Sequence, residues 1–372
     1  MKDENISIYI YRDGGLGDSL TILPAVKKLY ESKGGKKFTL ITNCSAYKFN
    51  KIDSYSILKY SDFFEKALYF DDSKLSSKFN LLKEIRKSKK NKILYYFGYT
   101  DVPLLRALKK TFLHLSFFKL CGFKEVIGWK EAIIDNKKNK GRDEETGHTI
   151  VESEYDRYLR IASNTGGSND KIRIKYKPED NFLNLDYAKP DVYKLIEDSN
   201  IKGDYISIGI GGLYEVNRYF NKRYIAVIEM LAGKFNNMGF VLVGGERDFV
   251  EGEKIKSGLT GKLSKKVVNI CGKSRIIESA YIIGNGLLYI GNDNGTTHLA
   301  PMAGCPVVAV FSAREKKEKY FPYGKNNITI RKNIECEGCG LTVCIEKNTK
   351  CVDIITTEEV FDSAMKLIYN KA

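Results

Sequence analysis

The first residues that could do chemistry are three glycines and an aspartate that follow the opening apolar segment Ile6–Tyr11. The run Gly14-Gly15-Leu16-Gly17-Asp18 precedes apolar residues at helical spacing, which predicts a strand, a tight turn and a helix. Glycines let the backbone approach a ligand closely, and a helix N-terminus favours developing negative charge. Asp18 is therefore a candidate catalytic residue. A structural role, in which Asp18 caps the helix, explains the same residues equally well.

A second candidate site follows the apolar run 287–290, at the start of another predicted helix. Its polar residues and glycine are Asp293, Gly295, Thr296, Thr297 and His298. Three backbone N–H groups, two threonine hydroxyls and the helix dipole predict a cradle for a diphosphate. We assign His298 to binding, although a lone histidine is more often a structural hydrogen-bonding group. Asp293 would repel a phosphate, so we expect it to orient a hydroxyl, a lysine or an arginine.

Two more predicted strands end in glycines, at residues 209–212 and at residues 244–248. Each run alone is an ordinary strand-ending turn. Because the carboxyl ends of parallel strands share one edge of a sheet, Gly211 and Asp248 are expected beside the second candidate site. Together these loops predict a nucleotide-binding site.

Four of the eight cysteines form a compact Cys-x2-Cys-x4-Cys-x6-Cys cluster: Cys336, Cys339, Cys344 and Cys351. In a reducing compartment this spacing favours metal binding over disulfides. A structural zinc or iron site and four free thiols are equally compatible with it, and neither would be the catalytic centre. The isolated cysteines are predicted to be small core residues: Cys44, Cys121, Cys271 and Cys305.

Short apolar segments alternate with helical stretches in both halves of the chain, which predicts parallel strands joined by crossover helices. The predicted strands are residues 6–11, 38–42, 67–70, 93–97, 126–129, 205–210, 240–243, 267–270, 287–290 and 307–311. Residues 164–205 are polar and punctuated by glycine and proline, so we predict two domains, 1–185 and 186–372. A charged loop is predicted at residues 136–145. The capping pair Thr356 and Glu359 predicts a packed last helix.

Length and composition agree with two globular domains, since the chain has 372 residues of which 43% are hydrophobic. No apolar run approaches the roughly 20 residues that span a bilayer, and the N-terminus does not resemble a signal peptide, so we expect a cytoplasmic protein. The net charge of +15 is spread along the chain, which disfavours a dedicated nucleic-acid-binding module. It suits an anionic membrane surface or a sugar-phosphate acceptor, and also a merely solvated surface.

In order along the chain, these motifs resemble glycosyltransferase family 9, which contains the ADP-heptose:lipopolysaccharide heptosyltransferases. The resemblance is carried by Gly17-Asp18 with Pro24 shortly after, by residues 293–300, and by the run Gly-Cys-Pro-Val-Val-Ala-Val-Phe at 304–311. It covers the start of the chain and most of residues 205–367. The resemblance implies the α/β GT-B fold, in which two Rossmann-like parallel-sheet domains face each other across a cleft.

The resemblance also implies roles for residues. Asp18 would be the catalytic base, in a loop on the acceptor side that contains Gly15 and Gly17. Residues 293–298 would hold the diphosphate and sugar of the donor, and Asp248 would lie near the donor ribose. One departure concerns a family lysine that binds the diphosphate, because this chain has Asn217 at that position, followed by Arg218. Arg218 or Lys222 would then have to replace it, which puts the donor sugar in question.

The resemblance predicts an inverting, metal-independent transfer of a sugar, with heptose from ADP-heptose as the expected donor, to a lipopolysaccharide-core or related glycan. The expected partners are a nucleotide-diphosphate sugar, a lipid-linked or glycan acceptor and, at the inner face of the inner membrane, anionic lipid. Two alternatives stay open. One is another sugar-nucleotide enzyme, such as an epimerase; the other is a non-catalytic protein that binds nucleotide sugars or carbohydrates, which the loss of the lysine at Asn217 would favour.

Overall fold

The computed structural model describes residues 5–43, 54–71, 73–98, 104–131, 139–142, 149–163, 182–188, 203–345 and 348–369, with the single residues Val192, Leu195 and Ile201. The chain forms two compact units. Unit 1 is Met1–Lys140 with Val151–Ile174, and unit 2 is Gly141–Ile150 with Lys175–Ala372. Most of the polar stretch in which we placed the boundary lies outside the described residues, so the boundary at residue 185 stays a prediction.

Unit 1 contains a five-stranded parallel sheet in the order β3-β2-β1-β4-β5. Its strands are β1 Ile6–Tyr11, β2 Phe38–Asn43, β3 Phe64–Phe70, β4 Asn91–Tyr96 and β5 Glu125–Ile127. Its helices are α1 Leu16–Leu20, α2 Leu23–Ser32, α3 Tyr55–Leu58, α4 Leu75–Arg86, α5 Leu104–Leu120 and α6 Glu154–Ser163. Strand β1 lies in the middle of the sheet, so the loop that follows it is held on both sides by buried neighbours.

A separate two-stranded sheet pairs β6, Asn139–Arg142, with β7, Thr149–Val151. The prediction of a charged loop across residues 136–145 is therefore wrong for its middle part. Charged side chains do not prevent a short strand when a partner satisfies its backbone hydrogen bonds.

Unit 2 contains a six-stranded parallel sheet in the order β10-β9-β8-β11-β12-β13. Its strands are β8 Tyr205–Gly209, β9 Gly239–Val243, β10 Val267–Asn269, β11 Leu288–Asn292, β12 Val307–Phe311 and β13 Asn327–Arg331. Its helices are α7 Asn221–Lys234, α8 Phe249–Gly258, α9 Gly261–Ser264, α10 Ile276–Gly284, α11 Gly295–Met302, α12 Lys350–Asp353 and α13 Thr357–Tyr369. Strands β9, β11 and β12 are buried along their whole length.

The predicted α/β class with two parallel sheets is confirmed, and each of the ten predicted strands overlaps an observed one. Strands β6, β7 and β13 were not predicted. The predicted last helix is confirmed as α13: the Glu359 N–H donates to the Thr356 hydroxyl at 3.2 Å, and the Thr356 N–H donates to the Glu359 carboxylate at 3.0 Å. Within the described part of the chain, no helix is both long and apolar enough to cross a membrane.

Candidate functional site

In unit 1 the structure places Asp18 in the first turn of α1, directly after the glycine loop that ends β1. The N-cap residue of α1 is Gly15 and not Asp18, which the structural interpretation expected at that position; Asp18 is the third residue of the helix, and its Oδ2 accepts the Gly15 N–H at 3.0 Å. Gly14 has a φ of 135°, and a Cβ there would lie 2.5 Å from the Asp18 Cβ. The loop therefore requires glycine at this position to let the aspartate fold back over it.

The other carboxylate oxygen of Asp18 faces Arg12, a residue that the sequence analysis did not single out. Arg12 Nη2 lies 3.4 Å from Asp18 Oδ1, and the Arg12 side chain is fully buried. Its Nε donates to the Asp18 carbonyl at 2.8 Å and its Nη1 to the Phe97 carbonyl at 3.0 Å, beyond the end of β4. Arg12 thus fixes both the backbone and the side chain of Asp18 against the sheet.

A second group of buried polar side chains holds Arg12 in place from α6. The Tyr158 hydroxyl accepts hydrogen bonds from Arg12 Nη1 and, at 2.8 Å, from Arg157 Nη2, and Arg157 is paired with the buried Glu154. Nothing in the sequence around residue 158 links it to residue 12, which is 146 positions away. This contact was therefore beyond reach of motif analysis.

Burial raises the pKa of Asp18 above its ordinary value, and this effect outweighs the Arg12 cation and the Gly15 N–H, which both lower it. The Asp18 side chain is 23% exposed, so solvent or a substrate hydroxyl can reach it. A carboxylate with a raised pKa is a stronger base than an ordinary one.

The loop is also anchored to α5. Asp13 is buried, and its Oδ2 accepts a hydrogen bond from Lys110 Nζ at 2.8 Å. The position of the glycine loop is therefore coupled to the position of this helix.

In unit 2 the ends of β8 and β11 meet around Asn294, which caps α11. Its Oδ1 accepts the Thr297 N–H at 3.0 Å, and its Nδ2 donates to the Gly211 carbonyl at 2.7 Å. Asn217 Nδ2 donates to Asp293 Oδ2 at 3.1 Å, while Asn217 Oδ1 accepts the Ser312 hydroxyl at 2.7 Å. Asn217, where the family resemblance predicts a lysine, is therefore next to Asp293.

The Arg218 side chain connects the same loops to the end of β9. Its Nη2 donates to Asp248 Oδ1 at 2.9 Å and to the Gly212 carbonyl at 2.7 Å, while the Gly245 N–H donates to Asp248 Oδ2 at 2.9 Å. A Cβ at Gly211 would lie 2.5 Å from Asp248 Oδ2, so these two loops touch only because residue 211 is glycine. The predicted placement of Gly211 and Asp248 beside the second candidate site is thus observed within one unit, and Arg218 lies with them.

The two aspartates are held in the same way. Asp18 and Asp248 each accept the N–H of a glycine three residues earlier on one oxygen and face an arginine with the other. Both aspartates belong to the sequence pattern Gly-Gly-x-x-Asp after a strand. This pattern does not indicate which arginine pairs with each aspartate.

Sequence analysis missed the role of Asn292, the fully buried last residue of β11. Its Oδ1 accepts the Tyr219 N–H at 2.8 Å and the Tyr224 hydroxyl at 2.7 Å, and its Nδ2 donates to the carbonyls of Ile210 and Gly211 at 3.1 and 3.0 Å. One amide therefore holds three chain segments together and satisfies backbone groups that would otherwise be buried without partners.

The predicted diphosphate cradle needs correction at both threonines. Thr297 is fully buried; its hydroxyl donates to the Asn292 carbonyl, and its N–H is already bonded to Asn294. The Thr296 hydroxyl shares a hydrogen bond of 2.7 Å with the Tyr289 hydroxyl. Thr297 therefore shapes the turn. Since the Thr296 hydroxyl also donates to Asn294 Oδ1 at 2.7 Å, the cradle is reduced to the backbone at the start of α11, at Gly295 and Thr296.

Comparison with known proteins identifies the family. The model of glycosyltransferase family 9 (heptosyltransferase) matches residues 148–350, which is more than half of the chain. The chain belongs to glycosyltransferase family 9. Lipooligosaccharide heptosyltransferase 2 of Campylobacter jejuni is 28% identical over 105 residues, which span 28% of this chain and 33% of that protein. The match thus covers about a third of the length of this curated relative.

Several solved glycosyltransferase structures share the fold along almost the whole chain. ADP-heptose lps heptosyltransferase II of E. coli has a TM-score of 0.64 at 14% identity, covering 98% of this chain and 99% of that one. A family 9 glycosyl transferase from Veillonella parvula has a TM-score of 0.65 at 16% identity, covering 99% and 98%. The iron-containing dodecameric glycosyltransferase TibC of enterotoxigenic E. coli has a TM-score of 0.54 at 12% identity, covering 100% and 78%. These likenesses confirm the GT-B type of fold.

In this family 9 chain, His298 is buried in α11, and burial lowers its pKa to about 4. The imidazole is therefore neutral near neutral pH. It can donate or accept a hydrogen bond, but it does not supply a cation for a diphosphate.

The buried imidazole makes a testable contribution to stability. Below its ordinary pKa of 6.5 the unfolded chain binds a proton at residue 298, whereas the folded chain does not until about pH 4, so stability is lost as the pH falls through this window. His298→Gln removes the effect. The difference in unfolding free energy between the parent and the variant, measured by denaturant titration, should shrink by about 2 kcal/mol from pH 7.5 to pH 5. A difference that is the same at both pH values would contradict a buried neutral histidine.

The four clustered cysteines come together on one cavity of about 60 Å³, lined also by Val216, Ala313 and Ile334. Burial and the nearby thiols raise the pKa of Cys351. Within the described ranges, no three histidine, cysteine, aspartate or glutamate side chains stand in ligating positions. Cys121, Cys271 and Cys305 are buried, as predicted, and Cys44 lies outside the described residues.

Proposed function

We propose that this chain is an inverting glycosyltransferase that moves heptose from ADP-heptose to a lipopolysaccharide-core or related glycan acceptor. Family membership and the named heptosyltransferase activity of the Campylobacter relative support the class of reaction. The observation that carries the proposed mechanism is Asp18, a partly exposed carboxylate that is held in place by a buried arginine and has a raised pKa.

In this reaction Asp18 accepts the proton of an acceptor hydroxyl while that oxygen attacks the anomeric carbon of the donor sugar. The bond between the anomeric carbon and the diphosphate breaks, and ADP leaves with the electron pair. Attack from the face opposite the leaving group inverts the anomeric configuration. Because general-base catalysis needs the carboxylate within hydrogen-bond reach of the hydroxyl, the contacts of Arg12 serve to hold Asp18 in position.

The donor half of the proposal rests on unit 2. The N-terminus of α11 at Gly295 and Thr296 and the guanidinium of Arg218 stabilise the negative charge that develops on the departing diphosphate. Asp248 lies beside Arg218, where it can accept a hydrogen bond from a ribose hydroxyl. Asp293, which is oriented by Asn217, is placed to accept one from the sugar. Since protein groups supply the positive charge, this assignment uses no catalytic metal.

The experiment that tests the function is release of nucleotide from a panel of sugar nucleotides, including ADP-heptose, with and without bacterial core glycolipid. We expect release of ADP that depends on the acceptor, together with a glycolipid that has gained the mass of one heptose. Conversion of the nucleotide sugar without any acceptor would favour an epimerase instead.

One observation favours a second candidate, a protein that binds nucleotide sugars without turning them over. The family lysine is Asn217 here, and the amide is hydrogen-bonded to Asp293 and Ser312. This candidate predicts that ADP-heptose binds, measured by calorimetry, while no acceptor in the panel is glycosylated.

We also propose that Cys336, Cys339, Cys344 and Cys351 close around one structural zinc or iron ion when it binds, because these four soft thiol ligands line a common cavity although they do not stand in ligating positions in this structure. Metal analysis of the purified protein should find about one ion per chain. Cys339→Ser combined with Cys344→Ser should lose it, whereas Cys305→Ser, which replaces an isolated buried cysteine, should keep it. Four reactive thiols per chain without metal would show instead that the cluster is a set of free cysteines.

A further inference from the structure

Helix α5 has an unusual composition for a helix at a protein surface. Its sequence, LLRALKKTFLHLSFFKL, contains Arg106, Lys109, Lys110 and Lys119 and no acidic residue. One face packs against the core of unit 1 through Ala107, Thr111, His114 and Phe118, all of which are buried. An ordinary surface helix would carry polar residues on the opposite face.

The opposite face of α5 is instead apolar and exposed. Leu105 is 80% exposed and Phe112 is 68% exposed, and these residues are seven positions apart, on the same side of the helix. The other large apolar side chains exposed on α5 are Leu108, Leu113 and Leu120. A cluster of this kind on one helix face is typical of a surface that a membrane or another molecule covers.

The neighbouring helix α4 has the same character at its start. It packs on the same core cluster as α5, and Arg86 Nη2 at its end donates to the Leu120 carbonyl at 2.7 Å. Its exposed residues Leu75 and Phe79 are one turn apart and lie beside Lys74 and Lys78 in the sequence. Two adjacent helices of unit 1 thus combine exposed apolar side chains with basic ones.

We propose that the apolar and basic face of α5 docks unit 1 onto an anionic lipid surface. Leucine and phenylalanine would enter the boundary between headgroups and acyl chains, and the basic side chains would meet the anionic headgroups. The charge favours lipid over a second copy of this chain: Lys110 is paired with Asp13, and two such helices would still bring three positive charges, Arg106, Lys109 and Lys119, against three. The net charge of +15 strengthens the attraction to an anionic surface.

The same helix connects the surface to the candidate catalytic loop. Lys110 on α5 is bonded to Asp13, which lies five residues before Asp18. Docking α5 on a bilayer would therefore fix the orientation of the Asp18 loop relative to the membrane. This step rests on the proposed function, because orienting the Asp18 loop toward the membrane helps catalysis only if the acceptor is lipid-linked.

The test is sedimentation of the full chain with vesicles of phosphatidylglycerol and phosphatidylethanolamine, compared with phosphatidylcholine vesicles, in the absence of any sugar nucleotide. We expect binding to the anionic vesicles that weakens as salt is added. The double variant Leu105→Gln and Phe112→Gln should bind at least about tenfold more weakly. Val250→Gln, which replaces an exposed apolar residue on α8 of unit 2, is the matched control and should bind like the parent.

Equal vesicle binding by the double variant and the parent would overturn the proposal, as would a parent protein that does not bind anionic vesicles. A dimer in solution that the same two substitutions dissociate would show that a second copy covers this face. Because the assay contains no donor or acceptor, its result is independent of glycosyl transfer. Circular dichroism of the variant checks that unit 1 is folded.

Discussion

Asp18→Asn should lower the rate of acceptor-dependent ADP release by at least about a hundredfold while leaving donor binding almost unchanged. Asparagine has nearly the same shape as aspartate and can still accept the Gly15 N–H through its oxygen, but its amide nitrogen then replaces the oxygen that faces Arg12, so circular dichroism of the variant checks the fold. Asparagine cannot take a proton from the acceptor. The measurement is steady-state turnover with saturating ADP-heptose and glycolipid, together with the dissociation constant of ADP.

The natural control for this variant is Asp248→Asn. Asp248 is held by a glycine N–H and an arginine just as Asp18 is, but it lies in the candidate donor site of unit 2. Asp248→Asn should therefore weaken donor binding, while turnover at saturating donor should change less. Asp18→Asn activity within threefold of the parent would exclude Asp18 as the base.

The parent enzyme should also lose turnover on the acid side as Asp18 becomes protonated. Because burial raises the pKa of Asp18, this loss should begin at a higher pH than an ordinary aspartate would give. The pH profile of turnover at saturating donor measures it. If the residual activity of Asp18→Asn falls with the same pH dependence, the loss of turnover at acid pH belongs to a different group.

The sequence predicted the parallel sheets because buried central strands consist of continuous apolar residues. Strand β13, Asn327–Arg331, was missed for the same reason: its residues alternate between polar and apolar, and all are only partly buried at the edge of the sheet. Alternation of polar and apolar residues is typical of a half-buried strand, so strand β13 was predictable from this pattern.

The glycine loops and aspartates of the candidate site were predictable because they are local in sequence. Their partners were not. Arg12 depends on Tyr158, and Asn292 bonds to carbonyls more than 80 residues earlier in the chain. A buried arginine or asparagine looks polar and exposed when only the sequence is considered, since burial is set by tertiary packing. For Thr297 the sequence suggested a free N–H for a ligand, but this N–H is bonded to Asn294, the N-cap residue of α11.

The second large effect is expected at Arg218, the cation that follows Asn217 in the sequence and is paired with Asp248. Arg218→Ala should reduce kcat/KM for the donor by about 10- to 100-fold, the usual cost of losing charge-assisted hydrogen bonds to a phosphate. Most of the loss should appear as a weaker dissociation constant for ADP, measured by calorimetry. Arg247→Ala is the matched control, since it removes an exposed arginine in the same loop as Asp248.

Arg218→Lys separates charge from geometry. Arg218 already uses Nη2 to hold Asp248 and the Gly212 carbonyl, and its fork geometry leaves further N–H groups for a ligand. Lysine keeps the charge but cannot make both sets of contacts, so it should restore only part of the affinity lost in Arg218→Ala. Full recovery would mean that a point charge suffices. ADP affinity unchanged in Arg218→Ala would instead show that the diphosphate is held by the start of α11 alone.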